Sequence, residues 1–396
     1  MQTLMLLPDN EQQLRVDKIK AELKKVAPEG YGLLITSNAN LFYTTGRVFS
    51  GYVYISSDAD TVYLVKRPVE LDGERVIYIR KPEQIAEELT RAGIGLPETL
   101  FLELDLLSYT GTGRLHNVFP QSRLLNASPA IRAARAVKTD MEIQQIADCG
   151  VKHERVYRRI PHLYQEGMTD IELQVEIERT ARLEGCLGQF RISGDSMELH
   201  MGNVLVGANA DAPSPYDFAM GGAGMHPSLP VGANGTEIRP GNSVMVDVNG
   251  NFNGYMTDMT RVFSLGNLDH LAQKAHACSI RICNEIAKAA APGIPAKDLY
   301  ELTVAIVKEE GLESYFMGHR QHAGFIGHGV GIEINELPVI APRSRDLLQA
   351  GNVIALEPKF VIPKTGAVGI ENTYVVKAEG GLRCLTNAPE EIISLE

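Results

Sequence analysis

The chain of 396 residues is longer than one ordinary hydrophobic core supports, so its length predicts two domains. Hydrophobic residues make up 44% of the chain and charged residues 22%, which is typical of a globular protein. The formal net charge of −11 argues against nucleic acid or an anionic membrane as a partner, because no excess of Lys and Arg is present to displace counterions.

The cysteines are odd in number, scattered along the chain and without metal-site spacing: Cys149, Cys186, Cys278, Cys283 and Cys384. This pattern favours small buried thiols in a reducing compartment. No apolar run approaches the length that spans a bilayer, and residues 1–8 lack the basic region and cleavage site of a signal peptide. We therefore expect a cytoplasmic protein.

The first 128 residues mix helical patterns with short apolar runs that resemble strands. Helical spacing is expected over residues 11–26 and 83–92. The strand-like runs lie between these two segments, at residues 31–37, 52–57, 61–67 and 75–80. The alternation predicts a small α/β domain over residues 1–128.

Longer helices are expected in a second domain, residues 129–396. Thr139 and Glu142 form the pattern of a capping box, which predicts that a helix begins there. Further helices are expected from about Asp170, over 268–291 and over 296–311. Apolar strand-like runs lie between and after these helices, so the fold class is mixed α/β.

The segment 242–266 predicts two strands around a turn rich in Gly and Asn. Asp247 alternates with valines in the first strand, so its side chain should point to the face opposite theirs. Asp258 follows eleven residues later, and a hairpin of this length can place the two carboxylates side by side. Two carboxylates that close require a proton or a cation between them, although two unrelated Asp residues near turns would give the same pattern.

A second strand pair embeds Glu357 and Glu371 in apolar sequence. Buried carboxylates need partners, and the cations available to them are Lys359, Arg261 or a metal ion. Acidic residues in four strands are most simply satisfied by metal ions. His328, between glycines in the run GHGVG, is best suited to add a nitrogen ligand, and such a donor set suits Mn, Fe, Co or Zn.

These residues closely resemble the pita-bread metallopeptidase family, which includes prolidase, aminopeptidase P and methionine aminopeptidase. Two aspartates eleven apart, the GHGVG run, the pair Glu357-Pro358 and a last glutamate follow the order of the family. The runs NANLFYTTG (38–46) and RAVKTDMEIQQI (135–146) extend the resemblance to a creatinase-type N-terminal domain. The resemblance implies a C-terminal pita-bread fold that holds two divalent ions.

The resemblance also implies a role for each ligand. Asp258 and Glu371 would bridge the two ions, Asp247 would complete the shell of one ion, and His328 and Glu357 would hold the other. Glu357 would in addition carry the proton from the attacking water to the leaving amine.

Three substrate contacts expected from the family are replaced in this chain. Pro230 and Asn335 stand where catalytic histidines are expected, and Gly369 stands where proline-specific members have an arginine. His226 is a candidate for a displaced catalytic histidine, and His322 is a candidate substrate-binding residue. Asn335 would bind substrate by donating a hydrogen bond to a developing oxyanion.

The leading functional prediction is a dinuclear metallohydrolase that cleaves short Xaa-Pro peptides. The alternative is a pita-bread enzyme that acts on a non-peptide small molecule by C–N hydrolysis or elimination. A binding protein without catalysis is the third alternative, and the complete ligand set argues against it. A homodimer is expected because relatives with this layout commonly dimerise.

Overall fold

The computed structural model describes residues 2–192, 200–216 and 220–395. The chain forms two compact units, Met1–Arg135 and Ala136–Glu396. The boundary predicted at residue 128 falls at the start of the helix Ser128–Ala136. Among the described residues, no helix combines the length and the apolar character that crossing a bilayer requires.

The first unit is built on a six-stranded mixed sheet, as the alternating pattern predicts. Its strands, in spatial order, are Val76–Tyr78, Val62–Arg67, Ser50–Ser56, Tyr31–Ile35, Thr99–Leu102 and Arg123–Asn126. A separate parallel pair joins Gln2–Thr3 to Leu71–Asp72. The helices of this unit are Asp9–Lys24, Asn38–Thr45, Ile85–Arg91, Tyr109–Val118 and Ser128–Ala136.

The run NANLFYTTG forms the helix Asn38–Thr45. Ser37 caps its first turn, and the buried carboxylate of Glu103 accepts hydrogen bonds from Ser37 Oγ and Asn40 Nδ2, both at 2.7 Å. Gly46 ends the helix with a φ of 73°, a left-handed conformation that glycine adopts without strain.

The second unit contains four longer helices and several antiparallel sheets. The helices are Asp140–Arg159, Asp170–Leu183, His270–Ala289 and Ala296–Glu310. The capping box of Thr139 and Glu142 is confirmed, and Thr169 and Glu172 form a second one. Each box satisfies main-chain N–H groups that a helix start leaves unpaired, so these helices begin where the sequence predicts.

Two sheets and two hairpins of the second unit bear the candidate site. One sheet has the strand order Ile393–Ser394, Thr260–Ser264, Ser243–Val248, Gly202–Val206. The other has the order Glu336–Ile340, Gly327–Gly329, Val353–Leu356, Asn372–Val376, Leu382–Cys384. Two hairpins complete the set, Gly250–Asn251 with Met256–Thr257 and Lys359–Ile362 with Gly366–Gly369.

Apolar cores lie under both of these sheets. One is formed by the helices His270–Ala289 and Ala296–Glu310 against apolar side chains such as Leu356 and Phe360, both 0% exposed. The other packs the first two helices of the unit against the strand Ser243–Val248. Rigid packing on both sides fixes the strands that present the polar residues described next.

Candidate metal centre

The strand Ser243–Val248 presents Asp247 to a cleft. Val244, Val246 and Val248 are at most 2% exposed and pack into the core, whereas Asp247 lies on the other face and lines the cleft. The orientation predicted from alternation is therefore confirmed.

Asp258 follows the short strand Met256–Thr257 and lines the same cleft. It does not stand opposite Asp247 in the sheet, because Asp247 pairs with Thr260. The turn between the two aspartates contains its own small hairpin, Gly250–Asn251 with Met256–Thr257. Thr373 fixes the main chain here: its Oγ1 accepts a hydrogen bond from Asp258 N and donates one to Asp258 O, both at 2.9 Å. The side chain is thereby held at the base of the cleft.

His328 lies in the strand Gly327–Gly329, the second of the five strands of its sheet. A Cβ on Gly329 would collide with the carbonyl oxygen of Leu337, so the flanking glycine is needed for close approach of the strands. His328 Nδ1 lies 3.0 Å from the carbonyl oxygen of Gly329, which can only accept a hydrogen bond. The proton is therefore assigned to Nδ1, and Nε2 faces the site with a lone pair suited to a metal ion.

Glu357 and Lys359 project into the site together. Residues two apart in extended chain share a face, and these two flank the junction between successive strands. Lys359 Nζ donates hydrogen bonds to Asp247 Oδ2 at 2.8 Å, to Glu357 Oε2 at 3.0 Å and to Glu371 Oε2 at 3.0 Å. A buried ammonium group thus stands between three of the four predicted acidic ligands.

The two oxygens of Glu371 have different surroundings. Oε2 accepts hydrogen bonds from Lys359 Nζ and from Thr260 Oγ1, the latter at 2.8 Å. Oε1 is buried and, among the described residues, has no hydrogen-bond partner. Such an atom is costly to bury unless a ligand completes its coordination.

Burial and like charge set the protonation of the carboxylates. Burial, and then the charge of Asp247, raise the pKa of Asp258 to about 7. Burial and the neighbouring carboxylates raise the pKa of Glu371 well above its ordinary value. Burial also opposes ionisation of Glu357, but the Lys359 ammonium and the adjacent imidazole outweigh it and lower its pKa to about 2. Part of the cluster therefore needs positive charge beyond that of Lys359.

The donor set fits a divalent metal ion. Asp258, His328 and Glu371 are buried and each offers a ligand atom within 4.8 Å of the others. His328 Nε2 also lies 3.4 Å from Glu357 Oε1 and 3.8 Å from Asp258 Oδ2. Carboxylate oxygens with one imidazole nitrogen suit Mn, Fe, Co or Zn, as the sequence predicts.

The cluster forms the floor of a cleft of about 580 Å³, a volume that includes its open mouth. Asn335 lies at the wall of this cleft. The rest of the wall is largely apolar and includes Phe190, Ile192, Met220, Phe325 and Ile334.

The two histidines proposed from sequence lie outside the residues that line this cleft. His226 is exposed on the Gly-rich loop, where its Nδ1 lies 2.9 Å from Ser228 Oγ. His322 is exposed as well, with Nδ1 2.9 Å from the carbonyl oxygen of Phe316, and it lines a smaller neighbouring cavity.

Gly369 has a structural reason to lack the expected arginine. Its φ is 133°, and a Cβ there would lie 2.8 Å from the carbonyl oxygen of Pro358 and 3.0 Å from Lys359 Cα. Gly369 pairs directly with Lys359 in the hairpin. The close strand contact therefore excludes a side chain at this position unless the backbone moves.

Lys359 and Arg261 have positions that the family motif does not specify. The signal for Lys359 is present in the sequence, because its distance of two residues from Glu357 predicts a shared face. Arg261 is buried and donates to main-chain oxygens, including that of Glu371 at 2.8 Å, and to Asn372 Oδ1 at 2.7 Å. Arg261 therefore fixes the backbone at Glu371 and does not bind the Glu371 carboxylate.

Comparison with known protein families agrees with this geometry. The family model "Metallopeptidase family M24" matches residues 144–378, and the "Creatinase/Prolidase N-terminal domain" matches residues 15–137. Among curated proteins, the Xaa-Pro dipeptidase of Pyrococcus furiosus is 27% identical over 369 residues, which cover 91% of this chain and 94% of the relative.

Solved structures show the same fold. The prolidase of Pyrococcus horikoshii has a TM-score of 0.77 at 22% identity, and the match covers 96% of this chain and 99% of that one. The Xaa-Pro dipeptidase of Bacillus anthracis has a TM-score of 0.80 at 22% identity, with 97% and 99% covered. The chain therefore belongs to metallopeptidase family M24 and is a metal-dependent peptidase with a creatinase-type N-terminal domain and a C-terminal pita-bread domain.

Proposed function

We propose that the protein cleaves short Xaa-Pro peptides with the aid of a divalent metal ion. The observation that carries this proposal is the buried set of Asp258, His328 and Glu371 on the floor of an apolar cleft. The similarity to an Xaa-Pro dipeptidase over most of both chains supports the choice of substrate.

The ligand residues position the chemistry. A divalent ion bound there supplies Lewis-acid polarisation of the scissile carbonyl and activation of water. Asp258, His328 and Glu371 would bind the ion. Asp247 is the further ligand expected from sequence. The expected second ion would compete for Asp247 with the Lys359 ammonium group, which already lies 2.8 Å from Asp247 Oδ2.

Glu357 is the proposed proton carrier. Lys359 and His328 keep its carboxylate ionised, so it can accept a proton from water. Glu357 Oε2 faces Lys359, while Oε1 faces His328 Nε2 at 3.4 Å, so Oε1 lies nearest to the metal-binding atoms. From this place it would return the proton to the leaving amine.

Asn335 is the proposed donor to the oxyanion of the transition state. Its carboxamide N–H group can donate a hydrogen bond but cannot transfer a proton. The adjacent Glu336 binds Lys138 Nζ at 2.9 Å, and Ile334 N donates to the carbonyl oxygen of Arg191 at 2.8 Å. These contacts hold the loop so that Asn335 faces the cleft.

The apolar wall of the cleft suits a prolyl ring and a small apolar residue. Phe190, Ile192 and Met220 supply ring-sized apolar surface near the carboxylates.

The alternative substrate class is a non-peptide small molecule with a C–N bond. Pro230, Asn335 and Gly369 favour it, because each replaces a side chain expected from the family resemblance, and the backbone at Gly369 leaves no space for an arginine. His226 and His322 stay candidates for catalysis and substrate binding. The homodimer and the cytoplasmic location also stay predictions.

A substrate panel tests the proposal. The chelated protein is reconstituted separately with Mn, Co and Zn and assayed on Xaa-Pro dipeptides, longer Xaa-Pro peptides and matched peptides with Ala in place of Pro. We expect cleavage that depends on metal and prefers Pro. Absence of peptide cleavage by metal-loaded protein would reject the peptidase proposal and favour the non-peptide substrate.

The same panel applied to His226→Ala tests the displaced histidine. Because His226 is exposed and bonded to its own loop, we expect a change of less than about threefold in kcat/KM. A loss of more than about 100-fold with metal retained would show that the loop moves and that His226 enters the reaction.

A further inference from the structure

The position of Lys359 bears on how many ions the centre holds. Its ammonium group has three N–H donors, and three carboxylates accept them: Asp247 at 2.8 Å, Glu357 at 3.0 Å and Glu371 at 3.0 Å. Donors and acceptors therefore match in number and in sign of charge.

Lys359 cannot leave this position by a simple rotation. Its side chain is 0% exposed, and its main chain is fixed on both edges. On one edge it pairs with Gly369 in the hairpin, and on the other its carbonyl oxygen accepts from Met317 N at 2.8 Å. Moving the ammonium group to solvent would require opening packed structure around Phe360, which is also 0% exposed.

The donor atoms that Lys359 does not use lie on the other side of the cluster. They are the orphaned Glu371 Oε1, Glu357 Oε1, the Asp258 carboxylate and His328 Nε2. Asp258, His328 and Glu371 alone already meet the distance requirement for one ion. Asp247 lies outside that set and has Lys359 as its cationic partner.

Charge balance agrees with this division. Four carboxylates carry four negative charges, of which the ammonium group balances one and a single divalent ion balances two. One divalent ion therefore leaves one negative charge, which a proton on the cluster can balance, whereas two divalent ions beside the ammonium group leave one positive charge that no further carboxylate of the cluster offsets.

We infer that this centre binds one divalent ion, through Asp258, His328, Glu371 and Glu357, and that the Lys359 ammonium occupies the place of a second cation between Asp247, Glu357 and Glu371. The inference rests on the metal site of the proposed function but not on its peptide substrate. It replaces the two-ion arrangement expected from the family resemblance.

Metal stoichiometry tests the inference on the unaltered chain. The chelated protein is dialysed against excess Mn²⁺, and bound metal per chain is measured by plasma mass spectrometry. We expect one ion per chain and an electron paramagnetic resonance spectrum of isolated Mn²⁺, with no coupling between ions. Two ions per chain with a coupled spectrum would overturn the inference, as would a chain that binds none.

Lys359→Ala provides the second arm. Removing the ammonium group leaves Asp247, Glu357 and Glu371 without their cation, so the variant should bind two ions per chain and show the coupled spectrum. Lys364→Ala, an exposed position in the same hairpin, is the matched control and should still bind one. A folded Lys359→Ala protein that stays at one ion would contradict the inference. If that variant does not fold, the stoichiometry and spectrum of the unaltered chain decide alone.

These outcomes are separate from those of the substrate panel. A chain with one bound ion that cleaves no peptide would refute the substrate proposal and leave this inference standing. Peptide cleavage by a chain with two coupled ions would refute this inference and leave the substrate proposal standing.

Discussion

Arg261 Nη1 donates a hydrogen bond to the main-chain carbonyl oxygen of Glu371 at 2.8 Å, so a buried guanidinium group fixes the backbone at the proposed metal ligand Glu371. The same side chain binds Asn372 Oδ1 and the main-chain oxygen of Ala388, each at 2.7 Å. These acceptors surround the planar guanidinium group, whose N–H donors have fixed directions. The single ammonium group of a lysine cannot reach all of them, so lysine cannot replace arginine here.

Arg261→Lys should lower the free energy of unfolding by at least about 3 kcal/mol, because several buried carbonyl oxygens lose charge-assisted hydrogen bonds of about 1.5–3 kcal/mol each. Chemical denaturation of the metal-free protein measures the effect. Arg239→Lys, at an exposed ion pair with Glu237, is the control and should behave like the parent chain. Equal stability of the two variants would mean that the Arg261 contacts contribute little.

Lys138 and Glu336 form a buried ion pair with side chains 1% and 5% exposed. Lys138→Met should cost about 3–5 kcal/mol, because Glu336 would keep a buried charge without its cation. The double variant with Glu336→Met should cost less than the sum of the single variants, which a double-mutant cycle in urea measures. Additive effects would show that the two charges are not coupled.

Asp258→Asn should separate metal binding from folding. Burial and Asp247 raise the pKa of Asp258 to about 7, so the metal-free protein should gain stability when the carboxylate becomes a neutral amide. Metal should no longer raise the thermal midpoint of the variant, because a ligand is lost. Calorimetry with and without Mn²⁺ measures both effects, and Asp60→Asn, at an exposed ion pair, is the control. A normal metal-induced rise in Asp258→Asn would remove Asp258 from the ligand set.

His153 should make the protein sensitive to acid. Burial lowers its pKa to about 3, and its Nδ1 lies 2.9 Å from Thr257 Oγ1. Between pH 6.5 and 3 the unfolded chain binds a proton at this residue that the folded chain does not bind. The contribution of His153 to the free energy of unfolding therefore falls as the pH is lowered below about 6.5. His153→Gln removes that proton.

The difference in unfolding free energy between the parent chain and His153→Gln should therefore change by about 1.4 kcal/mol per pH unit over this window. Urea unfolding of chelated protein at pH 7.5, 6.0 and 5.0 measures it. His226→Gln, at an exposed site, is the matched control for the substitution itself. A constant difference for His153→Gln would contradict the lowered pKa.

The helix starts and the facing of Asp247 follow from local rules, which is why sequence predicts them. Thr139 and Glu142 need only a short segment to form their capping box, and alternation alone turns Asp247 away from its valines. The two aspartates do not pair directly because the turn between them contains its own hairpin, and loop composition does not specify such a register.

Tertiary contacts decided the remaining features. The course of the Gly-rich loop depends on Asn209, which is distant in sequence: its Oδ1 accepts a hydrogen bond from Ala223 N and its Nδ2 donates one to the carbonyl oxygen of Gly232. Lys359 could have been placed from its spacing to Glu357, but its choice of Asp247 and Glu371 as partners depends on strands distant in sequence. The order of motif residues along the chain does not report what lies between them in space.

The most direct test of the account is turnover of an Xaa-Pro dipeptide measured against bound ions per chain, as chelated protein is titrated with Mn²⁺. We predict that activity rises in proportion to bound metal and saturates at one ion per chain. Activity that appears only as a second ion binds, or no cleavage at any loading, would contradict it.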